Sequence, residues 1–151
     1  MKERFDRPVE ILLVDDNPGD IRLLQEAFRE GKVPSNRSVA TDGEEAMAFL
    51  RRSGPFASAT RPDLILLDLN LPRKSGTTVL AEIRSDPELS QIPVIVLSSS
   101  AAEQDIARAY ELHANCYITK PLDLEQFFRV VGLIEDFWLT LVELPPPGVT
   151  S

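Results

Sequence analysis

Three acidic side chains and one lysine each follow a short apolar run, although they lie far apart in the sequence. They are Asp15, Asp16, Asp68 and Lys120. The runs that precede them are 11–14, 64–67 and 116–119. Apolar runs of this length are typical of strands buried on both faces of a parallel sheet, and such sheets bind ligands at the carboxyl ends of their strands. We therefore expect three carboxylates and one ammonium to converge on one edge of a sheet.

The three carboxylates predict a site for a hard divalent cation. Adjacent carboxylates such as Asp15 and Asp16 repel each other unless a cation lies between them. Mg²⁺ prefers octahedral oxygen coordination and keeps several of its waters, so one or two carboxylates suffice to hold it. An acidic pair before a turn, taken alone, would more often initiate the turn or cap a helix. The convergence with Asp68 and Lys120 favours the metal site.

The same group of residues could carry out phosphoryl transfer. Asp68 is the candidate nucleophile, because Mg²⁺ and Lys120 would offset the charge on the transferring oxygens. Ser98, at the end of the apolar run 94–97, could donate its hydroxyl to one phosphoryl oxygen, while Lys120 binds another. Taken alone, such a serine would more often cap a helix, and such a lysine would more often be solvated.

Five apolar runs alternate with five stretches of helical periodicity along the chain. The expected strands are 11–14, 38–40, 64–67, 94–97 and 116–119. Apolar residues recur at helical spacing after each strand, and Asp123 is a good N-cap for the last helix. This alternation predicts an α/β fold in which helices cover both faces of a parallel sheet, with right-handed crossovers.

Composition limits the classes of function. The chain has 151 residues, which suits one domain, and carries 16 basic against 24 acidic residues for a net charge of −8. This balance argues against general binding to nucleic acid or anionic lipid. Cys116 is the single cysteine and cannot form an internal disulfide. No apolar stretch reaches the roughly 18 residues of a spanning helix, so we expect a cytoplasmic protein without membrane insertion.

The segments at the strand ends resemble the receiver domain of two-component response regulators. The matching segments are 14–17, 68–76, 98–101 and 117–121, within a resemblance that covers 9–135. The resemblance implies a flavodoxin-like, doubly wound, three-layer fold with five parallel strands in the order 2-1-3-4-5. It also implies a receiver domain over 9–144, between an N-terminal extension (1–8) and a Pro-rich tail (145–151).

The resemblance assigns the acceptor and the metal ligands. Asp68 would be the phosphoacceptor. Asp16, Asp68 and the backbone carbonyl of Asn70 would hold Mg²⁺, and Asp15 would assist through water. Lys120 would contact the phosphoryl group.

The resemblance also implies a switch. Ser98 and Tyr117 would form the switch pair, and the peptide bond before Pro121 would be of the type that is commonly cis in the family. Two departures from the family pattern are mild. Serine replaces the more common threonine at position 98, and the loop 54–62 is longer than usual.

The function implied is a binding switch rather than an enzyme. A histidine kinase would donate a phosphoryl group, and any catalysis would be limited to self-phosphorylation from small donors and autodephosphorylation. No direct binding to nucleic acid is expected. The segments 15–20, 71–76 and 134–138 look like those of single-domain regulators paired with bacterial, often cyanobacterial, phytochrome-type histidine kinases.

Three other functions fit parts of the pattern. A magnesium-dependent phosphatase with an aspartyl-phosphate intermediate would place a second acid two residues after the nucleophile, where this chain has Asn70. A flavin carrier would need amides and hydroxyls in the first loop, which is acidic here. A degenerate receiver that only binds partners is opposed by the intact set of acids and lysine.

The last helix has two apolar stripes, although a helix that covers a sheet needs one. The first stripe is Leu124, Phe127, Phe128, Val131, Trp138 and Leu141. The second is Val130, Leu133, Ile134, Phe137 and Leu144. We expect the second stripe to be covered by a homodimer partner, through the fourth and fifth helices and the fifth strand, or else by the chain's own tail. His113, the single histidine, is expected at a helix end on the surface.

Overall fold

Strands and helices alternate along the whole of the described chain. The structure is a computed structural model and describes residues 7–120 and 123–137. Its strands are β1 (Val9–Val14), β2 (Ser35–Ala40), β3 (Leu64–Leu67), β4 (Val94–Ser98) and β5 (Cys116–Thr119). Its helices are α1 (Pro18–Arg29), α2 (Gly43–Leu50), α3 (Gly76–Ser85), α4 (Glu103–Glu111) and α5 (Leu124–Ile134). A short 3-10 turn, Gly54–Phe56, lies in the loop before β3.

The five strands form one parallel sheet in the order β2-β1-β3-β4-β5, so the predicted topology is confirmed. Successive strand residues face opposite sides of the sheet. Leu12 and Val14 pack with α2, α3 and α4, whereas Ile11 and Leu13 pack with α1 and α5. The sheet is therefore the middle of three layers, which explains why its central strands are apolar at every position.

Polar caps start four of the five helices given above, and only α4 begins without a side-chain cap, at Ala102. The side chains of Asn17, Asp42, Ser75 and Asp123 each accept a backbone N–H in the first turn of α1, α2, α3 and α5. The predicted cap at Asp123 is confirmed. Because each cap supplies an orphan amide with an acceptor, it fixes where the loop ends and the helix begins.

The predicted division of α5 into two apolar stripes is wrong for Ile134, which is buried, and for Leu124, which is exposed. Ile134 is 2 % exposed and packs beside Phe127 and Val131, whereas Leu124 is 43 % exposed. Residues 127, 131 and 134 lie on one side of a helix, which is the reason that Ile134 joins the core. Leu133 does point outward, at 62 % exposure. The tail 145–151 and the expectations for Pro121, Trp138, Leu141 and Leu144 lie outside the described residues.

β2 is longer than its sequence predicted, since it begins at Ser35 and pairs with β1 from Val9 onward. Polar residues occupy its first half because it is an edge strand. The predicted limits of β3 and β5 agree with the structure, and β4 is extended by Ser98.

Two arginines close the amino edge of the sheet, the edge where the strands begin. Arg84 of α3 donates to the carbonyl oxygens of His113, Ser90 and Ile92 and to Oδ1 of Asn115, at 2.8–2.9 Å. Arg7 donates to both oxygens of buried Asp63, at 2.7 and 2.9 Å. Asp63 also accepts the amide of Glu10 at 2.8 Å.

A buried carboxylate joins the end of α5 to the turn after α1. Glu135 is 2 % exposed and accepts the amides of Lys32 and Val33, each at 3.3 Å. A Cβ at Gly31 would lie 2.2 Å from Glu135 Oε2, so a larger residue there would displace the Glu135 carboxylate. Burial raises the pKa of Glu135, and the two amides offset part of that effect. None of the helices in the described part of the chain is long and apolar enough to cross a bilayer.

Candidate functional site

Strand register brings the predicted acids together at the carboxyl edge of the sheet. Val14 of β1 is aligned with Leu67 of β3, so Asp15 and Asp68 follow side by side. The Asp68 amide donates to Val14 O at 2.9 Å, which extends the ladder to this point. Asp15 and Asp68 are buried, at 2 % and 4 % exposure, while Asp16 is exposed.

Both buried carboxylates are held in the same way. Asp15 Oδ1 accepts the amide of Asn17 at 2.9 Å, and Asp68 Oδ1 accepts the amide of Asn70 at 3.0 Å. Each contact spans two residues, as in an Asx-turn. The local turn thus fixes one oxygen of each carboxylate, and the other oxygen, Oδ2, faces Lys120.

Lys120 reaches the acids from the end of β5. Its amide donates to Ser98 O at 2.8 Å, which continues the pairing of Thr119 with Ser98. Its Nζ donates to Asp68 Oδ2 at 2.8 Å and lies 2.8 Å from Asp15 Oδ2. The ammonium side chain is 7 % exposed. Sequence reasoning placed all three groups at this edge, and the structure brings them into contact.

Asp20 is a member of this site that sequence reasoning missed. Its Oδ2 accepts a hydrogen bond from Lys120 Nζ at 2.7 Å. An acid in the first turn of a helix ordinarily interacts with the helix amides, and this local role is a sufficient reason for an aspartate at position 20. The one available signal was its place in the turn 15–20, directly after the acidic pair.

The charges in the site shift one another's ionisation. Burial raises the pKa of Asp15, although the hydrogen bond and charge of Lys120 offset part of that rise. Burial alone would lower the pKa of Lys120, but its contacts with Asp15, Asp20 and Asp68 raise it well above the ordinary range. The lysine is therefore a fixed positive charge at neutral pH.

Three carboxylates are placed to share a metal ion. Asp15, Asp16 and Asp68 each offer an oxygen, and these oxygens lie within 4.8 Å of one another. With Asp20 they make four carboxylates against the single ammonium of Lys120. Oxygen ligands and excess negative charge fit a hard divalent cation such as Mg²⁺.

The tight approach of α3 shapes the loop after β3. A Cβ at Gly76 would lie 2.1 Å from Asp68 O, and the Gly76 amide donates to Leu69 O at 2.9 Å. Only glycine permits this contact, which folds the loop that carries Asn70 back beside Asp68.

The predicted switch residues Ser98 and Tyr117 each form a hydrogen bond with Ser100. Ser98 is fully buried at the end of β4, and its Oγ accepts the amide of Ser100 at 3.3 Å. Tyr117 Oη donates to Ser100 O at 2.7 Å. Ser98 and Tyr117 are therefore linked through the loop between β4 and α4, and Ser100 is a further residue that the sequence did not single out.

A second tyrosine holds the backbone of the first. Tyr110, on α4, accepts the amide of Tyr117 at its hydroxyl, at 3.1 Å. β5 is an edge strand whose Lys120 amide points to β4, so the amide of Tyr117 points away from the sheet. His113 is exposed just after α4 with φ of 65°, which confirms the expected helix-end position.

A doubly wound sheet with this acid and lysine set at its carboxyl edge defines a receiver of phosphoryl groups. The family model described as "Response regulator receiver domain" matches residues 11–131. The chain belongs to this family, and it is a response regulator of two-component signalling, a protein class phosphorylated by a kinase.

The chain is similar over nearly its whole length to cyanobacterial response regulators. It is 47 % identical to response regulator Rcp1 of Synechocystis sp. over 145 residues, which cover 96 % of this chain and 99 % of Rcp1. The crystal structure of the phosphorylated cyanobacterial phytochrome response regulator RcpA superposes with a TM-score of 0.88, at 56 % identity, over 92 % of this chain and 99 % of RcpA. The Mn²⁺-bound form of Rcp1 gives a TM-score of 0.86, at 48 % identity, over 91 % and 99 % of the two chains.

Proposed function

We propose that Asp68 is the phosphoacceptor and that Mg²⁺ binds beside it. Asp16, Asp68 and the backbone carbonyl of Asn70 would hold the ion, with Asp15 acting through a water. The observation that carries this proposal is the position of Lys120 Nζ, 2.8 Å from Oδ2 of both buried aspartates. Mg²⁺, when bound, would supply positive charge to the phosphoryl oxygens.

The phosphoryl group would pass from the kinase phosphohistidine directly to Asp68. An oxygen of Asp68 forms a bond to phosphorus while the phosphorus–nitrogen bond of a kinase phosphohistidine breaks, and the electron pair stays on the imidazole nitrogen. Lys120 would balance the charge on one phosphoryl oxygen, and Ser98 would donate its hydroxyl to another. Asp68 is returned as a carboxylate when water hydrolyses the acyl phosphate. The chain itself would act as a signalling switch, with catalysis limited to this self-modification and its reversal.

The switch would pass through the loop between β4 and α4. Without a phosphoryl group, Ser98 Oγ accepts a hydrogen bond from the Ser100 amide. A phosphoryl oxygen that accepts the Ser98 hydroxyl would change this contact and with it the loop that holds Ser100. Tyr117, bonded to Ser100 O, would respond. A change at Asp68 would thereby alter the surface around α4 and β5.

The test is labelling with acetyl phosphate and MgCl₂, followed by intact mass. We expect one phosphoryl adduct in the wild type and none in Asp68→Asn. Asp123→Asn is the matched control, because asparagine caps a helix as well as aspartate does. Labelling of Asp68→Asn at the wild-type rate would remove Asp68 from this role, and labelling without a divalent cation would remove the metal.

The kinase partner is proposed from the relatives. Rcp1 and RcpA are similar over nearly their whole lengths, and RcpA is described as a phytochrome response regulator. A phytochrome-type histidine kinase is therefore the proposed phosphoryl donor, and the cytoplasm is the proposed location. The proposed receiver domain is 9–144, which lies between an N-terminal extension (1–8) and a Pro-rich tail (145–151). Phosphorylated kinase of this type should transfer its label faster than an unrelated histidine kinase matched in concentration. Equal rates would contradict the pairing.

A homodimer through α4, β5 and α5 is the proposed assembly. In the described part of the chain, the exposed large hydrophobic residues are Tyr110, Leu124, Leu133 and Phe137. All four lie on or beside α4 and α5, and a patch of this kind suits a twofold contact in which it meets itself.

The acidic net charge of −8 gives no support for direct binding to nucleic acid.

Light scattering tests the dimer. The double variant Leu133→Glu with Phe137→Glu should be monomeric at concentrations where the wild type is dimeric. Ala57→Glu adds a charge to an exposed position in another loop and should leave the dimer intact. A wild type that stays monomeric at high micromolar concentration, with and without a phosphoryl mimic, would favour packing by the chain's own tail.

A further inference from the structure

Lys120 has one more carboxylate neighbour than phosphoryl transfer requires. Its Nζ donates hydrogen bonds to Asp20 at 2.7 Å and to Asp68 at 2.8 Å, and it forms an ion pair with Asp15 at 2.8 Å. The Asp20 side chain is 23 % exposed, against 3 % for Asp15 and 5 % for Asp68. Asp20 therefore approaches the ammonium from the solvent side of the site, on a different element from the other two acids.

The three carboxylates differ in what else they would bind. Asp15 and Asp68 belong to the oxygen cluster that can share a metal ion, and among the described residues Asp20 does not. A divalent cation would thus draw on Asp15 and Asp68. Phosphorylation would convert one oxygen of Asp68 to an acyl phosphate, so its hydrogen bond with Lys120 would be shared or lost. The hydrogen bond to Asp20 is the one that neither event consumes.

The backbone of Asp20 is fixed independently of its side chain. The Asp20 amide donates to Asn17 Oδ1 at 3.0 Å, which caps α1, and Pro18 occupies the first turn. This leaves the carboxylate of Asp20 available to Lys120. A lysine ammonium is a point charge on a flexible stem, so its position depends on the acceptors around it.

We propose that Asp20 is a positioning residue for phosphoryl transfer. Its carboxylate holds the Lys120 ammonium over Asp68 while the cation and the phosphoryl group enter the site. Asp20 acts through Lys120 and not on the phosphorus. This inference rests on the proposed roles of Asp68 and Lys120.

Two substitutions separate the hydrogen bond from the charge. Asp20→Asn keeps an oxygen that accepts from Lys120, whereas Asp20→Ala removes the acceptor. With acetyl phosphate at saturating Mg²⁺, we expect Asp20→Ala to label about tenfold more slowly than the wild type, because small displacements of a catalytic group lower rates steeply. Asp20→Asn should restore most of the rate. Glu26→Ala, on the same helix, removes one exposed negative charge and should label at the wild-type rate.

A double-mutant cycle tests whether the effect passes through Lys120. In a Lys120→Ala background, Asp20→Ala should cause no further loss of rate. In the metal-free protein, urea unfolding should show the same coupling between the two residues. Mg²⁺ affinity, followed by NMR, should be within about twofold of the wild type in Asp20→Ala, since a metal ligand would cost far more.

Several results would overturn the inference. Asp20→Ala that labels as fast as the wild type would show that the contact does not matter, and equal slowing in both backgrounds would show that it does not act through Lys120. A large loss of Mg²⁺ affinity would make Asp20 a metal ligand instead. Failure of the wild type to label, or labelling of Asp68→Asn, would refute the proposed acceptor and is recognisable as a separate outcome.

Discussion

The two edges of the sheet handle charge in opposite ways. At the amino edge, Arg84 donates to four oxygen acceptors, and Arg7 donates to both oxygens of Asp63. At the carboxyl edge, Lys120 faces Asp15, Asp20 and Asp68 together. At the first edge, Arg84, Arg7 and Asp63 bond to groups of the chain itself, whereas the buried Nη2 of Arg61, just before β3, has no hydrogen-bond partner among the described residues. The second edge keeps an excess of negative charge that a cation would balance.

This difference separates stability from function. Buried polar groups that have all their partners hold the fold in one arrangement. Clustered carboxylates raise the free energy of the ligand-free protein, since each charge lies close to others of the same sign. That cost becomes useful when a cation binds, because the repulsion is then removed. We therefore expect substitutions at the amino edge to change stability and substitutions at the carboxyl edge to change ligand binding and phosphorylation.

The largest effect should come from the exposed acid of the carboxyl edge. Asp16→Ala removes a proposed direct ligand, so Mg²⁺ affinity should fall by about 100-fold or more, beyond what changes around metal ligands cause. Labelling at low Mg²⁺ should slow accordingly, while the metal-free protein should be no less stable than the wild type. NMR titration and urea unfolding measure the two quantities. Unchanged Mg²⁺ affinity would exclude Asp16 from the site.

At the amino edge the effect should fall on stability instead. Arg84→Met removes the donor to four oxygens, and we expect the free energy of unfolding to drop by about 3 kcal/mol. The folded fraction should still label at Asp68. Arg51→Met is the control, because Arg51 is 45 % exposed and its ion pairs with Glu82 and Asp86 are long. Its loss should cost less than about 1 kcal/mol. Equal losses in the two variants would remove the distinction between the edges.

The pH dependence of stability should identify Asp15. Its pKa is raised above 3.8 in the folded state by burial, so the folded protein binds this proton more readily than the unfolded chain does. The contribution of Asp15 to the unfolding free energy therefore falls as pH rises from below 3.8 through its folded pKa. Asp15→Asn lacks this titration, so the metal-free wild type should lose stability relative to the variant as pH rises through that window. A constant difference across the window would contradict the raised pKa.

The smallest effect should come from the phenol beside the carboxyl edge. Tyr110→Phe removes the acceptor for the Tyr117 amide at a half-exposed site, so we expect a loss of about 1 kcal/mol or less. Hydrogen exchange should show faster exchange at Tyr117 and an unchanged rate at Val96, which lies in the neighbouring strand. Unchanged exchange at Tyr117 would show that the contact does not protect this amide.

The sequence predicted the carboxyl edge well and the amino edge hardly at all. The parallel order of the strands suffices to bring Asp15, Asp68 and Lys120 together, because the carboxyl ends of parallel strands lie at the same edge of a sheet. Arg84 binds mainly backbone carbonyls, and these have no signature in a sequence. Asp20 was missed because an acid at the start of a helix already has a local explanation.

Two errors have a common physical origin in ambiguous patterns. α5 is apolar on more than one side, so its periodicity alone did not decide whether Ile134 faces the core. The predicted β2 is too short because Ser35, Asn36 and Arg37 are polar, which an edge strand allows. In both elements the packing partner, and not the local sequence, determined the result.

The phenol of Tyr110 has a consequence for how partners can recognise this protein. β5 ends the sheet on one side, and an exposed edge amide is a template on which another chain can add a strand. Here the outward amide of Tyr117 already donates to Tyr110 Oη at 3.1 Å. An incoming strand would have to displace that phenol before it could pair. We therefore expect partners on this side of the molecule to contact side chains, and we expect the same hydrogen bond to disfavour edge-to-edge pairing with another sheet.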